Sequence, residues 1–180
     1  MDQVVQLYAR ARHWQVLALI LALWGIAATV GLLGSGTIFE TVSMILGVLC
    51  YATFYFPMGS FLNSVVPPNL RLNFAFFRIN VIFLCLYLVL FDSLFRAITH
   101  ASSSLLLLMI IPLHLFATFC LFYNLYFVSK SLVLAERGKN VSFTGYFESF
   151  ILIWFFPFGI WFTQPRINRL YAEKLSQRTA

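Results

Sequence analysis

Four runs of apolar residues, at positions 14–34, 38–56, 74–94 and 105–128, constrain this chain more than any other feature. About 20 apolar residues in a helix rise about 30 Å, the thickness of a bilayer's hydrocarbon core. Each run has that length or close to it. The four together leave only short connections among the 180 residues. Hydrophobic residues make up 61% of the chain and charged ones 10%. A soluble domain carries about 25% charged residues. The composition therefore excludes a soluble enzyme, a disordered tail and a disulfide-rich secreted domain. The fold class expected is an all-α integral membrane protein, forming a single membrane domain over residues 1–180.

The first run follows Arg10 and Arg12 and exceeds the about 7–15 apolar residues of a signal peptide, so it reads as a retained span. Gly34-Ser35-Gly36 reads as a tight turn. The second run ends at Pro57, before a loop containing Asn63, Pro67, Pro68 and Asn69. The third ends in Asp92 and Arg96, an acid four residues ahead of a base, the favourable order on a helix. Ser102 to Ser104 cap the fourth run. That helix is expected to continue through Lys130 and Leu134, and Gly138 and Asn140 would stop it.

The last apolar segment, residues 146–163, is different. Its continuous apolar run, 150–162, is 13 residues long and is broken by Pro157 and Gly159, and ten of the twenty residues from 143 to 162 are Phe, Tyr or Trp. A broken apolar run of about 10–14 residues is more often re-entrant or interfacial than spanning. Charge placement agrees. If this segment does not cross, eleven of the twelve Lys and Arg residues share one side and only Arg96 lies opposite. If it crosses, the split becomes seven to five. Positive residues concentrate on the cytoplasmic side. The expected topology has four spans and both termini in the cytoplasm. The basic tail, residues 164–180, would lie on anionic headgroups. The charge of +6 follows the span flanks and forms no nucleic-acid patch.

Polar residues within spans are the functional candidates. His114, two residues after Pro112, forms with Thr118 and Asn124 a polar stripe on the fourth span. It reads as hydrogen bonding at a kink or as a pore lining. Arg78 either snorkels to the interface or pairs with Glu148. Ala18, Ala22, Gly25 and Thr29 make a small-residue stripe on the first span that permits close helix approach, within the chain or between copies. Phe54-Tyr-Phe-Pro57-Met-Gly59 is echoed by Trp154-Phe-Phe-Pro157-Phe-Gly159, and paired broken helices occur in transporters.

Cys50, Cys85 and Cys120 stand at even spacing in apolar stretches, with no metal-ligand pattern. No nucleophile elbow, phosphate loop, histidine cluster or potassium-filter motif occurs, and the spans hold no lysine for retinal. Neither a catalytic site, a metal nor a cofactor is expected.

Residues 111–116 (IPLHLF), 122–130 (FYNLYFVSK) and 153–168 (IWFFPFGIWFTQPRIN) resemble a group of small polytopic membrane proteins of Bacteroidota. The similarity extends loosely over residues 50–170. It implies a bacterial inner-membrane location and brings no known activity. Relatives are more basic after the fourth span, where this chain has Glu136.

These features lead to two expectations of function. One is an oligomeric channel or transport protein with its path between helices or subunits. The other is a scaffold, sensor or accessory subunit acting through membrane partners. A lipid-directed enzyme ranks below both.

Overall fold

A computed structural model describes residues 3–33, 37–101, 104–156 and 158–179. The Gly34–Gly36 turn, Ser102, Ser103 and Pro157 lie outside the described residues, as do the side chains of Asp92 and Arg96. Seven α-helices account for almost all of the rest: α1 (Gln3–Arg10), α2 (His13–Leu33), α3 (Thr37–Val65), α4 (Phe74–Ala101), α5 (Ser104–Arg137), α6 (Phe143–Trp154) and α7 (Ile160–Thr179). A 3-10 turn at Pro68–Leu70 joins α3 to α4. Four helices, α2 to α5, are long and apolar enough to cross a membrane. The protein is thus an all-α membrane protein of four spans with a broken aromatic segment after them.

Two spans overrun their expected ends: α4 runs on to Ala101, past residue 94, and α3 runs through Pro57. The second was expected to stop at Pro57, but α3 continues to Val65 with Pro57 inside it. Proline removes one N–H and frees the carbonyl four residues earlier. In a packed membrane helix, neighbours and local hydroxyls compensate. Pro57 is buried among such neighbours, and the backbone ladder holds beyond it to the end of the helix, with the Val66 N–H donating to the Leu62 carbonyl at 3.0 Å. The Pro57–Gly59 motif therefore does not break its helix. Gly59 instead makes room: a Cβ there would overlap the ring of Phe77 on α4. The fourth span continues to Arg137, as its sequence suggests. Gly138 stops it with φ +62°, its N–H donating to the Leu134 carbonyl at 3.0 Å. A left-handed residue at this point is the common helix stop, and glycine takes it without steric cost.

The last third folds as a hairpin. α6 runs back along α5, with Tyr146 beside Tyr126 (ring centroids 5.8 Å apart) and Trp154 beside Phe122 (5.0 Å). Its buried residues Tyr146, Ser149 and Ile153 are spaced three and four apart, one face of a helix. The chain turns at 155–159, where Phe156 packs on Phe54 of α3 at 4.4 Å. It then returns as α7 past His13, where Trp161 packs at 4.6 Å, to Phe61, where Tyr171 packs at 6.1 Å. The tip thus lies eleven residues up α3 from its end at Val65, about 16 Å along the axis. α6 thus runs into the bundle and α7 comes back to the same end. The tip exposes Phe155, Phe158 and Phe162, each more than 60% accessible. Such rings belong in lipid, not in water.

The turn depends on Gly159. A Cβ there would run into the backbone carbonyl of Leu152. The core beneath the tip is filled: Met58, Phe61, Leu62, Phe77, Phe127 and Leu132 are fully buried. Phe77 and Phe127 stack at 4.2 Å. This interior has the close packing of an organic crystal, where volume changes are felt directly.

Two substitutions rank these glycines. Gly59→Ala presses on a side chain that can shift, and an overpacking cost of about 1–3 kcal/mol is expected. Gly159→Ala presses on backbone and should cost more. Thermal unfolding in detergent, with Phe77→Leu added to each, should show rescue of Gly59→Ala only. Equal rescue of both would contradict the assignment.

Candidate functional site: the polar clasp on the hairpin

The returning helix α7 is held by polar side chains at the end of the bundle where α1 also sits. Arg166 is the centre. Its Nε donates to Glu136 Oε1 at 2.7 Å, one terminal nitrogen to Glu136 Oε2 at 2.5 Å, and the other to Ser149 Oγ at 2.9 Å. A bidentate guanidinium–carboxylate pair is among the strongest of protein hydrogen-bonded contacts. Glu136 is only 13% exposed and Arg166 26% exposed, so solvent screens the pair less than a surface bridge. One guanidinium thereby joins α5, α6 and α7. Arg169 adds a longer contact to Glu136 at 3.5 Å and remains largely exposed.

One turn apart on α7, two amides hold α1. Gln164 Nε2 donates to the carbonyls of Tyr8 and Ala11, both at 3.0 Å. Asn168 Nδ2 donates to those of Ala9 and Ala11, also at 3.0 Å. The last carbonyls of a helix have no partner within it. Here α7 supplies one, which fixes the short α1 against the hairpin. Burial pushes the Tyr8 phenol well above its ordinary pKa, so it stays neutral beneath this contact. Lys174 donates to Ser64 Oγ at 2.8 Å, tying the far part of α7 to the end of α3. Lys130 lies between the rings of Tyr126 (5.3 Å) and Tyr146 (5.9 Å), a cation–π contact that holds α6 to α5.

The polar residues singled out from sequence are distributed differently. His114 shares a 2.6 Å hydrogen bond with the Tyr87 hydroxyl of α4 and remains exposed on the outer surface. Thr118, also exposed, donates to the His114 carbonyl at 2.9 Å. Asn124 is fully buried and donates to the Tyr51 hydroxyl of α3 at 2.9 Å. The stripe therefore divides: two members face outward and the third faces the core. Ten residues at about 100° each bring Asn124 some 80° away from His114, and six bring it about 120° from Thr118, off their shared face. Arg78 and Glu148 are both exposed, and among the described residues no ion pair joins them. The Arg78 guanidinium lies 5.7 Å over the Phe74 ring. Ala18, Ala22, Gly25 and Thr29 are all exposed, and nothing lies within 4 Å of a Cβ built on Gly25.

Sequence reasoning missed Glu136, Ser149, Gln164 and Asn168 as a set. Two signals were present: amides four residues apart around Arg166, and a single acid beside Arg137 and Lys139. Arg166 and Lys174, expected to lie on headgroups, turn inward. Arg10, Arg12, Arg137, Lys139 and Arg169 remain exposed on that end of the protein.

No family model, curated protein or solved structure matches this chain.

Breaking the clasp should cost more than removing it. Glu136→Gln leaves a half-buried guanidinium without its carboxylate, and a loss of about 2 kcal/mol is expected. The double variant Glu136→Gln/Arg166→Met should recover part of this loss. A double-mutant cycle on unfolding in detergent measures the coupling. A coupling near zero would mean that the pair does not hold the hairpin.

Proposed function

We propose that the protein is a bacterial inner-membrane scaffold or accessory subunit that works by lateral association within the bilayer. The observation that carries this reading is the free face of α2. The helix packs inward through Val16, Ile20 and Ala27. Its Ala18, Ala22, Gly25 and Thr29 stripe lies roughly half a turn away, on the opposite face. The Thr29 hydroxyl donates back to the Gly25 carbonyl at 2.7 Å, so it leaves no polar group unmatched on that face. In lipid, helix association depends on close backbone approach, and small residues permit it. A second copy of this chain or a helix of a membrane partner fits there.

The orientation follows from charge. The end carrying α1, α7 and the exposed basic residues is assigned to the cytoplasm. Each exposed basic side chain near the surface adds about 1 kcal/mol on anionic lipid. A filled core beneath the hairpin favours association over conduction through one chain. His114 and Thr118, facing outward, would line a path only between subunits.

Single-molecule counting in liposomes tests the reading. The variant Ala22→Leu/Gly25→Leu is expected to weaken association by roughly tenfold, or about 1.4 kcal/mol, with unfolding unchanged. Unaltered association would remove α2 from the interface. Ion flux from the same liposomes, abolished by His114→Ala, would instead establish the channel reading.

A further inference from the structure

A cavity of about 340 Å³ opens in the side of the bundle, between α2, α3, α5 and the hairpin tip. Its floor is Phe54 and Phe156, in ring contact at 4.4 Å. Ile20 and Leu121 form walls, and Trp24 and Gly47 lie toward the mouth. From Phe54 to Gly47 the axial rise is about 10 Å. The volume is over twice that of an apolar cavity of about 150 Å³ that stays dry and takes benzene.

We propose that this cavity is a lipid site which holds one acyl chain of a phospholipid from the leaflet opposite the hairpin. Three observations lead there. The lining is aliphatic and aromatic apart from the Cys50 thiol and the hydroxyls of Tyr51 and Tyr55, and the Tyr51 hydroxyl already accepts from Asn124 at 2.9 Å. Water therefore has too few partners to fill the space. The cavity lies at the middle of the spans: Leu121 is seventeen residues from the start of α5 and sixteen from its end. Only hydrocarbon reaches that depth. Finally, the hairpin tip closes the cavity from below and occupies the volume where chains of its own leaflet would stand. A chain entering past Trp24 must therefore descend from the other leaflet, with its terminal methyl against Phe54 and Phe156. That lipid would brace the tip against α2, which the protein itself does not fill there.

Gly47 provides the test. It lines the cavity, and nothing lies within 4 Å of a Cβ built on it, so a larger side chain fills space without moving backbone. Protein purified in mild detergent with its native lipid is compared by native mass spectrometry. The wild type should retain one phospholipid per chain after washing. Gly47→Leu should reduce that occupancy by about tenfold, as expected when roughly two buried methylenes are displaced. Leu86→Phe, on the exposed face of α4 away from the cavity, should leave it unchanged. Leu121→Ala, which enlarges the cavity, should keep the lipid and extend the range of chain lengths held, so the proposal stays testable if Gly47→Leu misfolds. Equal retention in wild type and Gly47→Leu would overturn the proposal, as would equal loss in Gly47→Leu and Leu86→Phe or an unchanged chain-length range in Leu121→Ala. A retained species whose mass is not a phospholipid would overturn the assigned occupant.

Discussion

A polar group left without a partner in hydrocarbon costs several kcal/mol, and the C-terminal hairpin is built around that constraint. A chain that enters a membrane and turns back must satisfy its own turn and must be held where it leaves. At the turn, helical hydrogen bonding resumes at once, with the Thr163 N–H and hydroxyl both reaching the Gly159 carbonyl. At the exit, Gln164 and Asn168 supply the open carbonyls of α1, and Arg166 spends three donor groups on Glu136 and Ser149. Within the turn itself, the Phe155 N–H donates to the Ile151 carbonyl and the Gly159 N–H to the Phe155 carbonyl. The clasp adds register to helices that also pack apolar side chains into the core, Ile160, Ile167 and Leu170 from α7 and Val5 and Ala9 from α1.

Much of the architecture is legible in the sequence, because the bilayer imposes lengths. A span must be long and apolar, so the four runs show themselves. Gly138 marks a helix end because a left-handed residue is needed there. The aromatic segment declares itself by being too short and too broken. What stays hidden depends on neighbours. Pro57 reads as a stop, but burial among other helices carries α3 through it. His114, Thr118 and Asn124 look continuous along one helix, yet the adjoining helices bury Asn124 and leave His114 and Thr118 outside. The clasp is hardest to see of all. Glu136 and Arg166 are thirty residues apart, and Gln164 and Asn168 meet the first helix of the chain. Only the hairpin's return brings them together.

The two faces of α2 give the protein its lateral organisation. One face packs on α3 through Val16 and Ile20 and borders the apolar cavity, and the other presents small residues to the bilayer. The hairpin tip meets the first face through Phe156 and the cavity floor. The proposed association on the outer face and the proposed lipid in the cavity would both bear on α2, the least buried of the four spans.

On the hairpin topology proposed for this chain, residues 143–179 enter the membrane and return to the side they came from. Cysteines placed singly at Lys139, Phe158 and Gln177, with Cys50, Cys85 and Cys120 replaced by alanine, test it directly against a membrane-impermeant thiol reagent. Positions 139 and 177 should label from one and the same side, and position 158 from neither. Labelling of position 177 from the opposite side, or ready labelling of position 158 from water, would contradict the account.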